Sequence, residues 1–294
     1  MYTIMSQTSG EGGMPVARIN GHRMHYEVHG EGPPAVVMGG WGSYCHGNHH
    51  HIPRGLTDRC SVVIFDHRGL CESGDDLSVE PTMALYAQDV AGLLDHLGMT
   101  RTHVVGLVGM GACIGQELAI NRPDLVRSLV NMNTWAKPDA LMTHQLEMLR
   151  DVHRVMGWEA FQKLVCLWSF DAGFYLENHT RLLGPGGPWR ELNGRYAAHE
   201  RLIRACLSHD TTDRLHRIAA PTLIIHCPLD LVNGPRLTRP IEAAIPGAQG
   251  LTLDGAAHVV AGSAMRARFA AAVHAFLDSV EAAEAAGANR RSAS

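Results

Sequence analysis

The chain has 294 residues, 46% of them hydrophobic, and a formal net charge of −4 at pH 7, as expected of a globular protein that does not bind nucleic acid. Its seven cysteines lack paired Cys-x-x-Cys spacing, no segment is apolar enough for a membrane span, and residues 1–14 lack the apolar core of a secretion signal. We therefore expect a cytoplasmic protein with free thiols and a small-molecule substrate rather than a nucleic-acid or membrane partner, and the totals leave open whether it forms a homo-oligomer.

The first half of the chain predicts strands that alternate with helices. Residues 1–14 predict a disordered tail, and Asn20-Gly21 predicts a hairpin between two extended runs. An amphipathic helix is predicted over 81–97, where apolar residues recur at helical spacing and a proline lies in the first turn. Short apolar runs typical of buried strands occupy 33–38, 61–65, 103–108 and 127–133.

Strand patterns stop at about residue 135 and return at residue 221. Between them, helical runs predict a lid over 135–215, and a last helix is predicted over 263–280 with a disordered tail at 281–294. Strands that alternate with helices predict an α/β fold, a mostly parallel central sheet with helices on both faces. The expected core therefore combines 15–134 with 216–280, and the lid covers the carboxyl ends of the strands, where such sheets bind ligands.

The segment His103–Ala119 reads as a buried strand, a glycine-dense turn and a helix. A Gly-x-Ser-x-Gly nucleophile elbow lies in such a connection, but no serine is present here. Alignment from the helix places Gly109 at the nucleophile position, and alignment from the strand places Val108 there. The turn is therefore expected to be one residue longer than the motif and to lack a nucleophile.

The order of these motifs resembles the α/β-hydrolase superfamily over nearly the whole chain. Val37-Met38-Gly39-Gly40 and the Asp66-His67-Arg68-Gly69 turn are similar to those of enol-lactone hydrolases and polyketide methylesterases. Pro228-Leu229-Asp230 resembles the family's acid loop, and Gly255-Ala256-Ala257-His258 resembles its histidine loop. The resemblance implies an α/β-hydrolase fold and a hydrolase-like activity, with lyase, isomerase or cyclase chemistry as related alternatives.

The resemblance also implies roles for individual residues. His258 would be a base whose tautomer is fixed by Asp230, and the backbone N–H groups of Trp41 and Met110 would form an oxyanion hole. Without a serine, a water or a substrate oxygen would occupy the nucleophile position. The substrate pocket is expected to include Gly40, His46, His49, His50 and Trp135.

Two features could replace the missing serine. Cys45 and Ser43 follow the glycine turn and Cys113 lies in the helix after the elbow, so each is an alternative nucleophile. Zinc binding by His46, His49 and His51 would lower the pKa of a bound water to about 7, although consecutive histidines rarely converge on one ion. The favoured expectation is no metal and no cofactor.

Three functions remain open at this point. The first is an enzyme that acts on a small, fairly apolar carbonyl compound, such as an activated ester, a lactone or an enolisable ketone, by non-covalent acid–base chemistry through His258 and Asp230. The second is a catalytically silent member of the fold that binds a ligand. The third is a metal-assisted hydrolase that uses the cluster His46–His51.

Overall fold

The computed structural model describes residues 15–42, residue 45 and residues 51–292. Eight strands of this part of the chain form one sheet. The strands are β1 (Val16–Ile19), β2 (His22–His29), β3 (Pro34–Met38), β4 (Ser61–Phe65), β5 (Thr102–Gly106), β6 (Val126–Met132), β7 (Thr222–His226) and β8 (Gln249–Thr252).

The strand order in the sheet is β1-β2-β4-β3-β5-β6-β7-β8. The pairs β1/β2 and β2/β4 are antiparallel, and the other five pairs are parallel. β1 and β2 form the predicted hairpin, in which Asn20 and Gly21 have φ values of 45° and 83°. Positive φ at both turn residues matches the right-handed twist of the strands, which is why Asn-Gly predicted the turn correctly.

Alternate residues of the central strands pack on opposite faces of the sheet. In β4, Val63 and Phe65 belong to the core under one face, whereas Val62 and Ile64 belong to the core under the other. Successive side chains of a strand point to opposite faces, and both faces are covered by helices. The mostly parallel sheet with helices on both faces is therefore confirmed.

The described part of the chain has eight α-helices, and four of them lie between β6 and β7, in the segment predicted to be helical. One of these four, at residues 172–182, was not predicted. None of the described helices is long and apolar enough to cross a membrane. The helices are α1 (Met83–His96), α2 (Met110–Asn121), α3 (Ala140–Met156), α4 (Trp158–Ser169), α5 (Ala172–Leu182), α6 (Tyr196–Ser208), α7 (Gly234–Ala244) and α8 (Ser263–Ser292).

The predicted end of the last helix near residue 280 is wrong, because α8 continues to Ser292. Acidic side chains beyond residue 280 pair with arginines that project from the sheet side of the protein. Arg59 donates to Glu281 at 2.7 Å, and Arg127 donates to Glu284 at 2.7 Å. These ion pairs hold the helical turns beyond residue 280 against the rest of the protein. The alanine-rich segment that was predicted to be a disordered tail is therefore helical. Residues 1–14, the other predicted tail, lie outside the described residues.

Candidate active site

Loops at the carboxyl edge of the sheet enclose a cavity of about 50 Å³. Gly40 follows β3, Val108-Gly109-Met110 connects β5 to α2, and Trp135 follows β6. Parallel α/β sheets bind ligands at this edge. The cavity therefore lies at the edge of the sheet at which the sequence predicted a site, and Gly40 and Trp135 are among its lining residues.

The turn between β5 and α2 is one residue longer than a Gly-x-Ser-x-Gly turn. A Cβ on Gly106 would lie 2.6 Å from Ala112 Cα, and a Cβ on Gly111 would collide with the Met38 carbonyl oxygen. Close approaches of this kind need the two glycines, yet Gly111 follows Gly106 by five positions, where the motif places its glycines four apart. Val108 and Gly109 occupy the extra space with φ values of 50° and 71°. A β-branched residue at positive φ is strained, so Val108 marks the tightest point of the turn.

The ring of Trp135 fills the space beside Gly109. A Cβ on Gly109 would lie 2.8 Å from Trp135 Cζ3 and 3.3 Å from Asn233 Nδ2. We expected this position to leave room for a water or a substrate oxygen, and that expectation is wrong. Because residue 109 has no side chain, the indole packs directly against its backbone. A reacting water would have to lie elsewhere in the cavity.

His258 and Asp230 lie in contact, as predicted. His258 Nδ1 donates to Asp230 Oδ2 at 3.0 Å, and His258 lines the cavity. Asp230 Oδ1 accepts the backbone N–H groups of Val232 and Asn233 at 2.7 and 2.9 Å. Because both carboxylate oxygens accept hydrogen bonds, the carboxylate is fixed in position and orients the imidazole. Nδ1 of His258 then carries the proton, and Nε2 is the basic nitrogen.

The local hydrogen bonds keep Asp230 ionised. Burial alone would raise the pKa of this carboxyl group, but His258 and the backbone N–H groups of Asn233 and Val232 outweigh burial and hold the pKa below its usual value. The side chain of Asp230 is fully buried, whereas 12% of the His258 side chain is exposed. A buried negative charge beneath a partly accessible imidazole stabilises the imidazolium that forms when His258 accepts a proton.

The two residues expected to supply an oxyanion hole, Trp41 and Met110, both line the cavity. Met110 is the first residue of α2, and Trp41 follows the glycine turn after β3. Neither N–H donates to a backbone carbonyl of the residues that the structure describes. An oxyanion hole requires two N–H groups that remain free for a ligand.

The rest of the cavity wall is apolar and comes largely from the helical segment between β6 and β7. Four of the five tryptophans of the chain line it, namely Trp41, Trp135, Trp168 and Trp189. Trp168 and Trp189 were not predicted as site residues, because sequence periodicity cannot tell which face of a helix covers a cavity.

Ser169, at the end of α4, is the one serine among the described residues of the cavity wall. Its hydroxyl group makes no hydrogen bond with another described residue, and its carbonyl oxygen accepts the Val259 N–H at 2.8 Å. Sequence reasoning missed this residue, as it missed Asn233, because no motif surrounds either of them.

The cysteines suggested as alternative nucleophiles do not reach the cavity. Cys45 and Cys113 are fully buried, and burial raises the pKa of both thiols well above the usual value. Cys113 Sγ contacts Thr134 Oγ1 at 3.3 Å and the Trp135 carbonyl oxygen at 3.4 Å. Inert packing is the usual role of such cysteines, and the proposal that either one replaces the serine is wrong. Ser43 lies outside the described residues.

The predicted histidine cluster is described only in part. His46, His49 and His50 lie outside the described residues, and His51 lines a second cavity rather than the first.

In the described part of the chain, one group of three metal-binding residue types has its ligand atoms within 4.8 Å of one another, namely His25, Cys45 and Asp66. None of the three lines the candidate active site, and His25 Nδ1 donates to Asp66 Oδ2 at 3.1 Å. The group is a buried hydrogen-bonded cluster that is separate from the candidate catalytic residues.

The Asp66-His67-Arg68-Gly69 turn has structural contacts. Arg68 forms a buried ion pair with Asp89 of α1, and its Nη2 lies 2.8 Å from Asp89 Oδ1. His67 Nε2 donates to the Gly39 carbonyl oxygen at 3.2 Å. These contacts anchor the glycine turn that precedes Trp41.

Comparisons with known proteins agree with the fold. The family model of the alpha/beta hydrolase fold matches residues 33–262. A protein of Azorhizobium caulinodans that is named as the carbamate hydrolase RutD is 29% identical over 252 residues, which cover 83% of this chain and 91% of the relative. A protein of the same name from Caulobacter sp. (strain K31) is 30% identical over 247 residues, or 79% of this chain and 86% of the relative.

Solved structures of similar shape include two hydrolases. The enol-lactonase from Burkholderia xenovorans LB400 has a TM-score of 0.78 and 24% identity, over 90% of this chain and 100% of the other. A hydrolase from Pseudomonas aeruginosa PA01 has a TM-score of 0.78 and 25% identity, over 90% of this chain and 98% of the other.

Proposed function

Because the chain belongs to the α/β-hydrolase fold family and is a hydrolase-like enzyme, we propose that it hydrolyses a small, apolar carbonyl compound. His258 would act as the general base. Candidate substrates are activated esters, lactones and carbamates. The observation that carries the proposal is the 3.0 Å hydrogen bond between His258 Nδ1 and Asp230 Oδ2, in a cavity without a serine at the elbow.

His258 would activate the water. As the water oxygen attacks the carbonyl carbon, its proton passes to Nε2, and the Asp230 carboxylate stabilises the imidazolium. When the tetrahedral intermediate collapses, the proton on Nε2 passes to the leaving group and the bond to the carbonyl carbon breaks. General-base catalysis of this kind contributes roughly 10²–10⁴-fold to the rate.

The N–H groups of Met110 and Trp41 would bind the oxyanion of the intermediate. Each such donor contributes roughly 10²–10³-fold when it is aimed at the developing charge. Both factors together suit an activated carbonyl group better than an unactivated amide. The relatives named as carbamate hydrolases favour carbamates as one substrate class to be tested.

The cavity limits the size and polarity of the substrate. Its wall is mostly indole and aliphatic side chains, with Ser169, Asn233 and His258 as the polar side chains. A few polar groups in an apolar wall orient a ligand without competing with the apolar contacts. We infer that the acyl part of the substrate is compact and apolar.

Ser169 supports an alternative mechanism for the same reaction. Because its hydroxyl lacks a partner among the described residues and lies in the same cavity wall as His258, it could accept the role of nucleophile and form an acyl-enzyme. The length of the elbow turn does not affect this route, since Ser169 belongs to α4.

A second candidate function is ligand binding without catalysis. The observation that favours it is the Trp135 ring, which closes the position that an elbow nucleophile would occupy. A binding protein, however, has no evident need for the ionised Asp230 beneath His258.

A substrate screen with His258→Ala tests the proposal. Wild-type protein is assayed against activated esters, lactones and carbamates, and we expect turnover of at least one class to fall by roughly 10²-fold or more in the variant. His144→Ala is the matched control, because His144 lies exposed on α3. Equal turnover in the wild type and His258→Ala contradicts the proposal, and ligand binding without turnover of any class would support the second candidate function instead.

A further inference from the structure

Val108 lines a second cavity, of about 40 Å³, as well as the candidate active site. Leu107 and Phe269 form part of its apolar wall, and Arg54 and Arg266 form a cationic part. Val259 lines it too and is the residue after His258. The two cavities are therefore neighbours, with Val108 in the wall of both and with His258 and Val259 on either side.

The arginines at this second cavity have no acidic partner among the residues that the structure describes. Arg54 donates to the hydroxyl and the carbonyl oxygen of Ser263, at 3.2 and 3.4 Å. Arg266 is half-buried and, among the described residues, its guanidinium neither hydrogen-bonds to another side chain nor pairs with a carboxylate. Nearby Arg181 donates to Asn178 Oδ1 and lies 5.9 Å from the Phe174 ring centroid.

The buried arginines Arg68 and Arg201 are both paired with a carboxylate. Arg68 forms its ion pair with Asp89, and Arg201 Nε lies 2.8 Å from Asp75 Oδ2. A chain with a net charge of −4 has enough acidic residues for such pairs. Buried charges are normally paired because desolvation is costly. Half-buried Arg266, which has no carboxylate partner among the described residues, is thus an exception to this pattern, whereas Arg54 is exposed.

The environment of Arg266 is electropositive as well as partly desolvated. Burial lowers the pKa of its guanidinium, and the positive charges of Arg54 and Arg181 lower that pKa further. An anion in the cavity would offset both effects, and a guanidinium group can bind a carboxylate with two parallel hydrogen bonds.

We propose that the second cavity binds a carboxylate group of the substrate, held by Arg266 and Arg54, while the reacting carbonyl group lies beside His258. The substrate class is therefore a small apolar carbonyl compound with one carboxylate. This proposal rests on the proposed hydrolytic function. The support for one molecule in both cavities is the shared lining residue Val108 and the adjacency of His258 and Val259 in the chain.

Paired substrates test this assignment. The wild type, Arg266→Gln and Arg268→Gln are assayed with a carboxylated ester or lactone and with its uncharged methyl-ester analogue. Arg268 is the matched control, because it lies on the same helix but donates to the Asp254 carbonyl oxygen instead. We expect Arg266→Gln to raise KM for the carboxylated substrate by roughly 10-fold, since a hydrogen bond to a charged group is lost, and to leave the uncharged analogue unchanged. Equal effects on both substrates, or no effect on either, overturn the proposal.

The anion could also be free rather than part of the substrate. Acetate and inorganic phosphate are therefore added to the wild type and to Arg266→Gln. If the anion inhibits turnover of the carboxylated substrate but not of the uncharged analogue, and if this inhibition disappears in Arg266→Gln, the proposal is supported. An equal effect of either anion on both substrates indicates an independent anion site and overturns it.

Calorimetry separates failure of this inference from failure of the proposed function. Benzoate is titrated into wild-type, His258→Ala and Arg266→Gln protein. Binding that survives in His258→Ala and is lost in Arg266→Gln supports the anion site even if His258 proves dispensable for turnover. Binding that is equal in all three proteins overturns the site, whatever the screen of His258→Ala gives.

Discussion

Trp135 occupies the side-chain space of Gly109, so that a Cβ at residue 109 would lie 2.8 Å from Cζ3 of the indole. The glycine also has a φ of 71°, which side chains rarely adopt. Residue 109 and residue 135 are therefore coupled: residue 109 cannot gain a side chain unless the indole at residue 135 moves or is replaced by a smaller group.

Gly109→Ser alone is expected to destabilise the protein rather than create a serine hydrolase. Overpacking typically costs about 1–3 kcal/mol of the free energy of unfolding, and a side chain at positive φ adds to this cost. Urea unfolding of the variant measures the loss, and labelling with a fluorophosphonate measures whether the new serine reacts. We expect no labelling at residue 109.

The double variant Gly109→Ser/Trp135→Val provides the control for this coupling. A smaller residue 135 removes the collision, so the double variant should be more stable than the sum of the two single effects predicts. Additive losses of stability would show that the two residues do not interact and would contradict the packing argument.

Asp230→Asn is expected to lower kcat by roughly 10²–10⁴-fold with a small effect on KM. The amide would present an N–H to His258 Nδ1 and would remove the charge that stabilises the imidazolium. Steady-state kinetics across a pH series checks this, and circular dichroism shows whether the variant is folded. A change in KM alone would contradict the assigned role of Asp230.

Ser169→Ala separates the two mechanisms. If Ser169 only orients the substrate, loss of one hydrogen bond should lower kcat/KM by roughly 10-fold or less. If it is the nucleophile, turnover should nearly vanish together with fluorophosphonate labelling. We expect the smaller effect and no labelling of wild-type Ser169.

Buried histidines predict a loss of stability below neutral pH. Burial lowers the pKa of His199 to about 3 and that of His209 to about 4. Because the unfolded chain binds these protons near pH 6.5, the stability is fully present above that pH and falls as the pH decreases towards 4. Because each of these histidines is protonated in the unfolded chain at pH 5, each should lower the free energy of unfolding by about 2 kcal/mol at pH 5 relative to pH 7.

Urea unfolding at pH 7 and at pH 5 measures this loss. In His199→Phe the difference between the two pH values should shrink by about 2 kcal/mol, whereas exposed His144→Ala should leave it unchanged. An equal change in the free energy of unfolding between pH 7 and pH 5 in the wild type and in His199→Phe would contradict the assignment of a neutral buried imidazole.

The end of α8 should contribute modestly to stability. A chain that ends at Val280 lacks Glu281 and Glu284, the partners of Arg59 and Arg127. These pairs are partly exposed, so each contributes about 0.2–1 kcal/mol, and the melting temperature should fall by roughly 2–4 °C. A chain that ends at Ala288 keeps both pairs and should melt as the full chain does; equal melting of both truncated chains would contradict the role of the pairs.

Local patterns predicted most of the fold. The Asn20-Gly21 turn, the apolar strands and the amphipathic helix α1 each carry a signal that is complete within a few residues. The loops of Asp230 and His258 were likewise recognisable by motif, and the two side chains lie 3.0 Å apart.

Tertiary packing explains what the sequence did not predict. The residues of α4 that close the cavity, Trp168 and Ser169, depend on how the helical segment is placed over the sheet. The filling of the elbow by Trp135 and the ion pairs that extend α8 depend on contacts between distant parts of the chain, which no short pattern encodes.

The concentration of indole rings in one wall has a practical consequence. Since four of the five tryptophans line the candidate active site, the intrinsic ultraviolet emission of this protein comes mostly from that region. A compound that enters it changes the surroundings of several fluorophores at once, so ligands of an enzyme with an unknown substrate can be sought by optical titration without any label.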